Sequence, residues 1–257
     1  MSASSTVRIG KVLVDRMSLG DMLRFISSSL LSPTPRTVFY ANSYAVTLAE
    51  ADSDFAAAMG KADAIFCDGF GVYVASHVLG GPIPERYTPP DWIERLGVAC
   101  RDSQASMFFL GAEEGVAADA AQKLELAVPG LSVHAHHGHF PKDEASSRAV
   151  IDVVNRSGAA VLFVGLGMPL QELWITKYRA DLEPRVVLSV GAMFDYVAGN
   201  VTRGPRWLTQ HGFEWLTRLV IEPRRLWRRY LLGIPEFALL VGRQWAGERP
   251  RPRPEGR

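Results

Sequence analysis

The chain has 257 residues, of which 47% are hydrophobic and 21% charged, and its formal net charge is +1. This is the composition of a globular protein that can bury a sizeable core, and we expect no nucleic-acid partner. Its two cysteines make no disulfide framework, the N-terminus has no apolar core of signal-peptide length, and no apolar run reaches the roughly 18 residues of a membrane span. We therefore predict a cytoplasmic protein.

Predicted strands alternate with predicted helices along the first 200 residues. The strands are predicted at Val7–Val14, Thr37–Ala41, Ala64–Cys67, Met107–Leu110, Leu131–His136, Val161–Val164 and Val186–Val190. The helices are predicted at Ser18–Leu31, Ser43–Met59, Gly71–Leu79, Asp91–Arg101, Ala112–Ala127, Asp143–Asn155 and from Pro169 onward. This alternation predicts an α/β fold with a mostly parallel, Rossmann-like sheet and helices on both faces.

Small or acidic residues lie just past five of the predicted strands, at Asp68, Gly111, Gly138, Gly165 and Gly191. Ligands of parallel sheets bind beyond the carboxyl ends of the strands. We therefore expect these five positions to meet along one rim of the sheet.

The segment Gly165-Leu166-Gly167 joins a buried strand to a helix that opens at Pro169. Glycines let the backbone approach a ligand closely, and the free N–H groups of a helix start favour a phosphate. The third glycine of the dinucleotide fingerprint is replaced by Leu170, which disfavours nicotinamide or flavin binding, and we expect no cofactor. Glycines that serve only the packing of this turn are the alternative.

The sequence becomes basic after residue 200. Two helices are predicted, at Pro205–Ile221 and Pro223–Leu232, and the second is amphipathic, with aromatic residues opposite arginines. The arginines of this region are Arg203, Arg206, Arg218, Arg224, Arg225, Arg228 and Arg229. Such a helix either lies in a membrane interface or packs on its own domain with the arginines in solvent. The predicted domains are a catalytic α/β domain over 1–200, an arginine-rich helical appendage over 201–245 and a disordered tail over 246–257.

Three motifs in order resemble those of the WecG/TagA/CpsF family of bacterial glycosyltransferases: GLGMPLQELWI, VGAMFDYVAGNVTRGP and EWLTRLVIEPRRLWRRY. The resemblance extends from Arg36 to Phe237. It implies an inverting, metal-independent enzyme that transfers a sugar from a UDP-sugar to an undecaprenyl-diphosphate-linked saccharide. It also implies an appendage that lies on the inner face of the cytoplasmic membrane and closes over the acceptor.

The resemblance assigns roles to residues of this chain. Asp68 would be the general base, because Ala62–Gly69 matches the family pattern A-D-x-x-x-x-D-G, although a lone Asp-Gly is more often only a turn. The substrate-binding candidates are Asn42, Arg86, Asp91, Gly165, Gly167, Gln171, Glu172 and Arg203. The candidates for binding the lipid diphosphate are Arg218, Arg225 and Arg228, since guanidinium groups suit a diphosphate.

Two patterns could suggest a metal site. Asp52 and Asp54 have the Asp-x-Asp spacing of metal-dependent glycosyltransferases, but they lie in a predicted helix rather than at a strand end. Four histidines cluster on and after one predicted strand: His134, His136, His137 and His139. No cysteine or carboxylate with ligand spacing accompanies them, and we predict no metal site.

Three positions depart from the family pattern. Tyr40 replaces a threonine, Thr88-Pro89-Pro90-Asp91 replaces a glycine-aspartate pair, and Leu170 replaces a frequent lysine. These positions leave two donors open. UDP-glucose, which is typical of an exopolysaccharide branch of the family, is slightly favoured over UDP-N-acetylmannosamine. The alternatives to an enzyme are a nucleotide-binding regulatory module and a membrane scaffold. The oligomeric state is also left open, with a homo-oligomer as one alternative.

Overall fold

A computed structural model describes residues 6–201, 224 and 227–247. Its centre is a parallel sheet of six strands in the order β4-β3-β8-β7-β5-β6. The strands are β3 Arg36–Ala41, β4 Ala64–Cys67, β5 Met107–Gly111, β6 Val133–His136, β7 Val161–Gly165 and β8 Val186–Ser189. A separate antiparallel hairpin precedes them, formed by β1 Thr6–Ile9 and β2 Val12–Asp15.

Ten α-helices are described, together with one π-helical turn at Arg228–Leu232. The helices are α1 Leu19–Leu30, α2 Ser43–Ala51, α3 Ser53–Met59, α4 Phe70–Val78, α5 Pro89–Asp102, α6 Val116–Ala127, α7 Glu144–Arg156, α8 Leu170–Tyr178, α9 Met193–Ala198 and α10 Gly233–Trp245.

Helices cover both faces of the sheet and form two hydrophobic cores. Leu162 and Val164 of β7 point into the core under α2, α3, α4, α7 and α8. Val161 and Phe163 of the same strand point into the core under α1, α5, α6 and α9. Because every central strand is buried on both faces, these strands read as continuous apolar runs. The predicted α/β class with a parallel, Rossmann-like sheet is confirmed.

The order of the strands divides the sheet into two halves. From β3 the chain moves outward to β4, then crosses to β5 and β6 at the other side, and β7 and β8 return to fill the middle. Strand β8 therefore joins the halves by pairing with both β3 and β7. A reversal of this kind opens a crevice beyond the carboxyl ends of the strands, where ligands bind in open α/β sheets.

Three predicted elements differ from the structure. The predicted strand Val7–Val14 is a hairpin, because Gly10 turns the chain with a φ of +57°. The predicted helix Ser43–Met59 is two helices, because the Asp52 carboxylate accepts hydrogen bonds from the N–H groups of Asp54 and Phe55 and starts a new helix. Helix α6 begins at Val116 instead of Ala112.

The hairpin protects one edge of the sheet. Oδ2 of the buried Asp15 accepts a hydrogen bond of 2.7 Å from the backbone N–H of Ile65 in the edge strand β4. An edge strand with unsatisfied N–H groups invites pairing with another chain, so this carboxylate both satisfies and blocks the edge.

Helix α10 returns the C-terminal region to the start of the chain. The Gln244 side chain accepts a hydrogen bond from the N–H of Gly10 at 2.9 Å and donates one to the Arg8 carbonyl at 2.8 Å. The buried Phe237 lies against α4, 3.3 Å from the position that a Cβ on Gly71 would take. This helix lies within the predicted helical appendage, although no separate helix was predicted for these residues. No helix in the described ranges is long and apolar enough to cross a membrane.

The predicted helix Pro205–Ile221 lies outside the described residues, as does most of the predicted tail. Of the predicted helix Pro223–Leu232, the structure describes Arg224 and the part from Trp227, of which Arg228–Leu232 is π-helical. The predicted domain boundaries at 200 and 245 stay predictions.

We predict that Asp15→Ala destabilises the fold by about 1–3 kcal/mol, because it leaves the buried N–H of Ile65 without this acceptor. The measurement is the free energy of unfolding in urea. The control is Asp152→Ala on the exposed face of α7, for which a change within about 0.5 kcal/mol is expected. Equal effects of the two substitutions would contradict the role given to Asp15.

Candidate active site

The carboxyl ends of four neighbouring strands meet in a row of glycines. A Cβ on Gly165 would lie 2.6 Å from the Gly191 carbonyl oxygen, and one on Gly111 would lie 2.7 Å from the Gly165 carbonyl carbon. A Cβ on Gly138 would lie 3.0 Å from the Gly111 Cα. No side chain fits between these backbones, so glycine is required for the approach itself. The predicted convergence of these glycines on one rim is confirmed.

The other half of the rim carries polar side chains. Asp68 follows β4 and its N–H donates to the Ala41 carbonyl at 3.0 Å, which places it beside Asn42 at the end of β3. A Cβ on Gly69 would lie 2.7 Å from the Asn42 Cβ, so the Asp68-Gly69 turn and Asn42 are in direct contact. Asn42 also caps α2, because its Oδ1 accepts a hydrogen bond of 3.0 Å from the N–H of Ala45.

Arg86 joins this pair from the loop that follows α4. Its Nη1 lies 3.5 Å from the Asp68 carbonyl oxygen. The loop is held in place by a backbone hydrogen bond of 3.3 Å from the N–H of Tyr87 to the carbonyl of Cys67. Three predicted site residues, Asn42, Asp68 and Arg86, are thus brought together at one end of the rim, and all three are partly exposed.

Asp91 has a structural task in this conformation. Its Oδ2 accepts hydrogen bonds from the N–H of Thr88 at 2.9 Å and from the Thr88 hydroxyl at 2.7 Å, which forms a capping box at the start of α5. The sequence analysis placed Asp91 near the start of this helix, and the structure puts it inside the first turn. Its predicted contact with a substrate stays a prediction.

Gln171 and Glu172 are completely buried. The Gln171 Nε2 donates to Glu172 Oε1 at 2.7 Å and to the Tyr40 hydroxyl at 3.3 Å, while its Oε1 accepts a hydrogen bond of 3.1 Å from the N–H of Gly191. Neither side chain is open to a ligand in this structure. Their predicted direct contact with a substrate stays untested, and the geometry shows them supporting the rim from beneath.

Burial raises the pKa of the Glu172 carboxyl from its ordinary 4.5 to about 7. The hydrogen bond from Gln171, the backbone N–H of Glu172 and the Ser189 hydroxyl act in the opposite direction and offset only part of this effect. Glu172 Oε2 and Ser189 Oγ are both buried, and neither makes a hydrogen bond of good geometry within the described chain. The sequence analysis missed Ser189 and the contact of Tyr40 with Gln171, because no residue spacing signals either of them.

The glycine turn between β7 and α8 occupies the middle of the rim. Gly167 is exposed, has a φ of +80° and accepts a hydrogen bond of 2.9 Å from the N–H of Gln171. Helix α8 follows directly at Leu170. The predicted phosphate contact at this helix start stays a prediction.

Four predicted arginines have no described side chain. Arg203, Arg218 and Arg225 lie outside the described residues, and only the backbone of Arg228 is described, in the π-helical turn.

The residues of the two patterns that could suggest a metal site make other contacts in the structure. Asp52 caps α3 and Asp54 is exposed. His139 Nε2 lies 3.1 Å from Glu113 Oε1, and the His136 and His137 rings stack on each other. Across the parts of the chain that the structure describes, no three histidine, cysteine or acidic side chains come together as a metal site.

Comparison with known proteins identifies the family. A family model described as "Glycosyl transferase WecG/TagA/CpsF family" matches residues 7–251. The chain belongs to this family. The resemblance found in the three sequence motifs is therefore confirmed, and this family member is a glycosyltransferase.

Curated relatives include three proteins with the same name, N-acetylglucosaminyldiphosphoundecaprenol N-acetyl-beta-D-mannosaminyltransferase. The protein from Bacillus spizizenii is 33% identical over 73% of this chain and 71% of the relative. The one from Bacillus subtilis is 30% identical over 74% and 72% of the two chains. One from Staphylococcus aureus is 26% identical over 94% of both. The names of these three relatives favour the N-acetylmannosamine alternative over the glucose donor that the sequence analysis preferred.

We predict that the stability of this glycosyltransferase depends on pH through Glu172. The folded protein holds the Glu172 proton up to a pKa of about 7, whereas the unfolded chain releases it near 4.5. The stabilisation is therefore complete below the unfolded value and is lost as pH rises through the folded value. The expected loss is about 3 kcal/mol.

The measurement is the free energy of unfolding in urea at several pH values for the wild type and Glu172→Gln. The difference between the free energies of unfolding of the two proteins should change over the pH range between the unfolded and the folded pKa of Glu172. The exposed Glu183→Gln is the matched control and should follow the wild type. A difference between wild type and Glu172→Gln that is constant with pH would show that Glu172 does not titrate as argued.

Proposed function

We propose that the protein transfers N-acetylmannosamine from a UDP-sugar to an N-acetylglucosamine carried on a lipid diphosphate, with inversion at the anomeric carbon. The single observation that carries this proposal is the assembly of Asp68, Asn42 and Arg86 at the carboxyl ends of β3 and β4, on the same rim as the glycine row of β5 to β8. The names of the curated relatives support the choice of sugar and of acceptor.

The proposed step needs one base. The acceptor hydroxyl oxygen forms the new bond to the anomeric carbon while the bond from that carbon to the diphosphate oxygen breaks and UDP leaves with the bonding electrons. The proton of the hydroxyl passes to the Asp68 carboxylate. Asp68 suits this role because it is partly exposed and stands just beyond the end of β4, at the rim where ligands of parallel sheets bind.

The departing diphosphate needs positive charge or aligned backbone dipoles. The Gly165–Pro169 turn at the start of α8 and the Arg86 guanidinium are the described groups on the rim that supply them. We assign Gly165 and Gly167 to the donor side and Asn42 to the sugar or acceptor side. Arg203 would contribute to the donor site, and Arg218, Arg225 and Arg228 to the lipid diphosphate.

A lipid-linked acceptor places the reaction at a membrane surface. The arginines and aromatic residues between 203 and 230 would attract anionic lipid and lie in its interface. Helix α10 ties the end of this region back to α2 and α4, the helices that follow Asn42 and Asp68. The described C-terminal helix is therefore anchored on the half of the sheet that carries the proposed base.

The donor is tested by UDP release from UDP-N-acetylmannosamine, UDP-N-acetylglucosamine and UDP-glucose. Each assay contains EDTA and a short-chain lipid-diphosphate N-acetylglucosamine, and release without acceptor is subtracted. Acceptor-dependent release is expected with UDP-N-acetylmannosamine. Release with UDP-glucose alone would overturn the proposed donor. UDP binding without transfer from any donor would instead support a regulatory module.

The base is tested by Asp68→Asn, which keeps the size of the side chain but cannot take the proton. We expect kcat to fall by about 100-fold or more, as for loss of a general base, while UDP binding stays near the wild-type value. The matched control is Asp54→Asn, an exposed aspartate of the Asp-x-Asp pattern, which should keep wild-type activity. Full activity in Asp68→Asn would reject the assignment.

A further inference from the structure

The two halves of the sheet separate at their carboxyl ends. Strand β3 pairs with β8 only from Arg36 opposite Val186 to Val38 opposite Leu188. Beyond that point β3 continues beside β4 as far as Ala41, while β8 continues beside β7 as far as Ser189. The backbone hydrogen bonds between β3 and β8 therefore end before the rim, and the crevice expected from the order of the strands would begin there.

Side chains replace the missing backbone pairs. The Tyr40 hydroxyl from β3 accepts a hydrogen bond from Gln171 Nε2 at 3.3 Å, and Gln171 Oε1 accepts one from the N–H of Gly191 at 3.1 Å. A Cβ on Gly191 would lie 2.7 Å from the Tyr40 hydroxyl oxygen, so the turn after β8 and the end of β3 are held in contact. We call this set of Tyr40, Gln171, Glu172 and Gly191 the crevice strut.

The hydrogen bonds of the crevice strut form in only one orientation of the Gln171 amide. Its carbonyl oxygen must face the N–H of Gly191, and its NH₂ must face Tyr40 and Glu172. The reversed amide would set the NH₂ against the Gly191 N–H and the carbonyl oxygen against the Glu172 carboxylate. Both contacts are repulsive, and the site is dry, so the two partners together select one orientation.

We propose that Glu172 is a positioning residue of the transfer site, which locks the Gln171 amide and thereby fixes the width of the crevice between Asn42 and Gly191. This role rests on the proposed function, and it requires no contact between Glu172 and the substrate. The short bond of 2.7 Å from Gln171 Nε2 to Glu172 Oε1 is the strongest bond of the strut when the carboxyl is ionised.

The strength of the lock changes with the charge of Glu172. The groups facing its carboxyl are the Gln171 amide, the Ser189 hydroxyl and its own backbone N–H, with Tyr40 behind the amide. No charged side chain of the described residues contributes to the shift of its pKa, which burial raises to about 7. Binding a proton turns a charge-assisted hydrogen bond into a neutral one of about half the strength.

The test compares the wild type with Glu172→Gln, which has the same shape and no titratable group. The first readout is the hydrogen-exchange protection of the Gly191 amide, corrected at each pH for the intrinsic exchange rate. The second is kcat/KM for sugar transfer over the same range. In the wild type, both should fall by about fivefold as pH drops through the pKa of Glu172, because one charge-assisted bond weakens while Glu172 stays buried. The global stability changes in the opposite direction over this range, so a fall in Gly191 protection reports local opening of the strut. In Glu172→Gln, neither should show this step.

The exposed Glu183→Gln is the matched control and should keep the wild-type profile. Tyr40→Phe is a second variant that keeps the ring and removes only the hydroxyl. It should lower the protection of the Gly191 amide but retain the pH step, because the bond to Glu172 survives. This variant tests the strut even if Glu172→Gln does not fold.

The outcomes separate the strut from the proposed function. A pH step in kcat/KM that persists in Glu172→Gln would overturn the positioning role while leaving the transferase activity intact. Unchanged Gly191 protection in both variants would overturn the strut itself. Absence of sugar transfer by the wild type would refute the proposed function, and Gly191 protection would still decide whether the strut exists.

Discussion

The close approach of backbone to backbone at the ends of β5, β7 and β8 is the constraint on which the rest of the site depends. Carbonyl and Cα atoms of Gly111, Gly165 and Gly191 occupy the volume where side chains would otherwise stand. The strand ends consequently present backbone groups on the same rim that carries Asn42 and Asp68 at the ends of β3 and β4. A site with backbone groups on one side and side chains on the other suits a substrate that carries both a diphosphate and a reacting hydroxyl.

We infer a crevice between these two halves of the rim because β3 and β8 stop pairing before their ends. Buried polar groups take over the connection, and their burial has an energetic cost. Glu172 Oε2 and Ser189 Oγ lie in the interior without well-formed hydrogen bonds. Apolar side chains in the same place would avoid that cost but could not accept a hydrogen bond from the N–H of Gly191. We infer that these buried polar groups lower the stability of the fold but fix the shape of the crevice.

The two ends of the described chain also meet near the site. Gln244 of α10 bridges Arg8 and Gly10 of the hairpin, and the hairpin in turn covers the edge of β4 through Asp15. Phe237 of the same helix packs where α4 begins, three residues after Asp68 in the chain. The C-terminal region is thus anchored on the half of the sheet that carries the proposed base.

The sequence by itself determined the fold class, the rim and the family, because these depend on patterns formed by residues that are close together in the chain. Apolar runs that alternate with segments of helical periodicity predict a parallel sheet, and glycines just past four of the predicted strands predict where the backbones crowd. Only the tertiary structure decided the tasks of individual polar residues. The sequence predicted substrate contacts for Gln171 and Glu172, and the structure adds that both side chains are buried beneath the rim. Their partners Tyr40 and Gly191 are 131 and 20 residues away from Gln171, and hydrogen bonds between distant segments leave no periodic trace in a sequence.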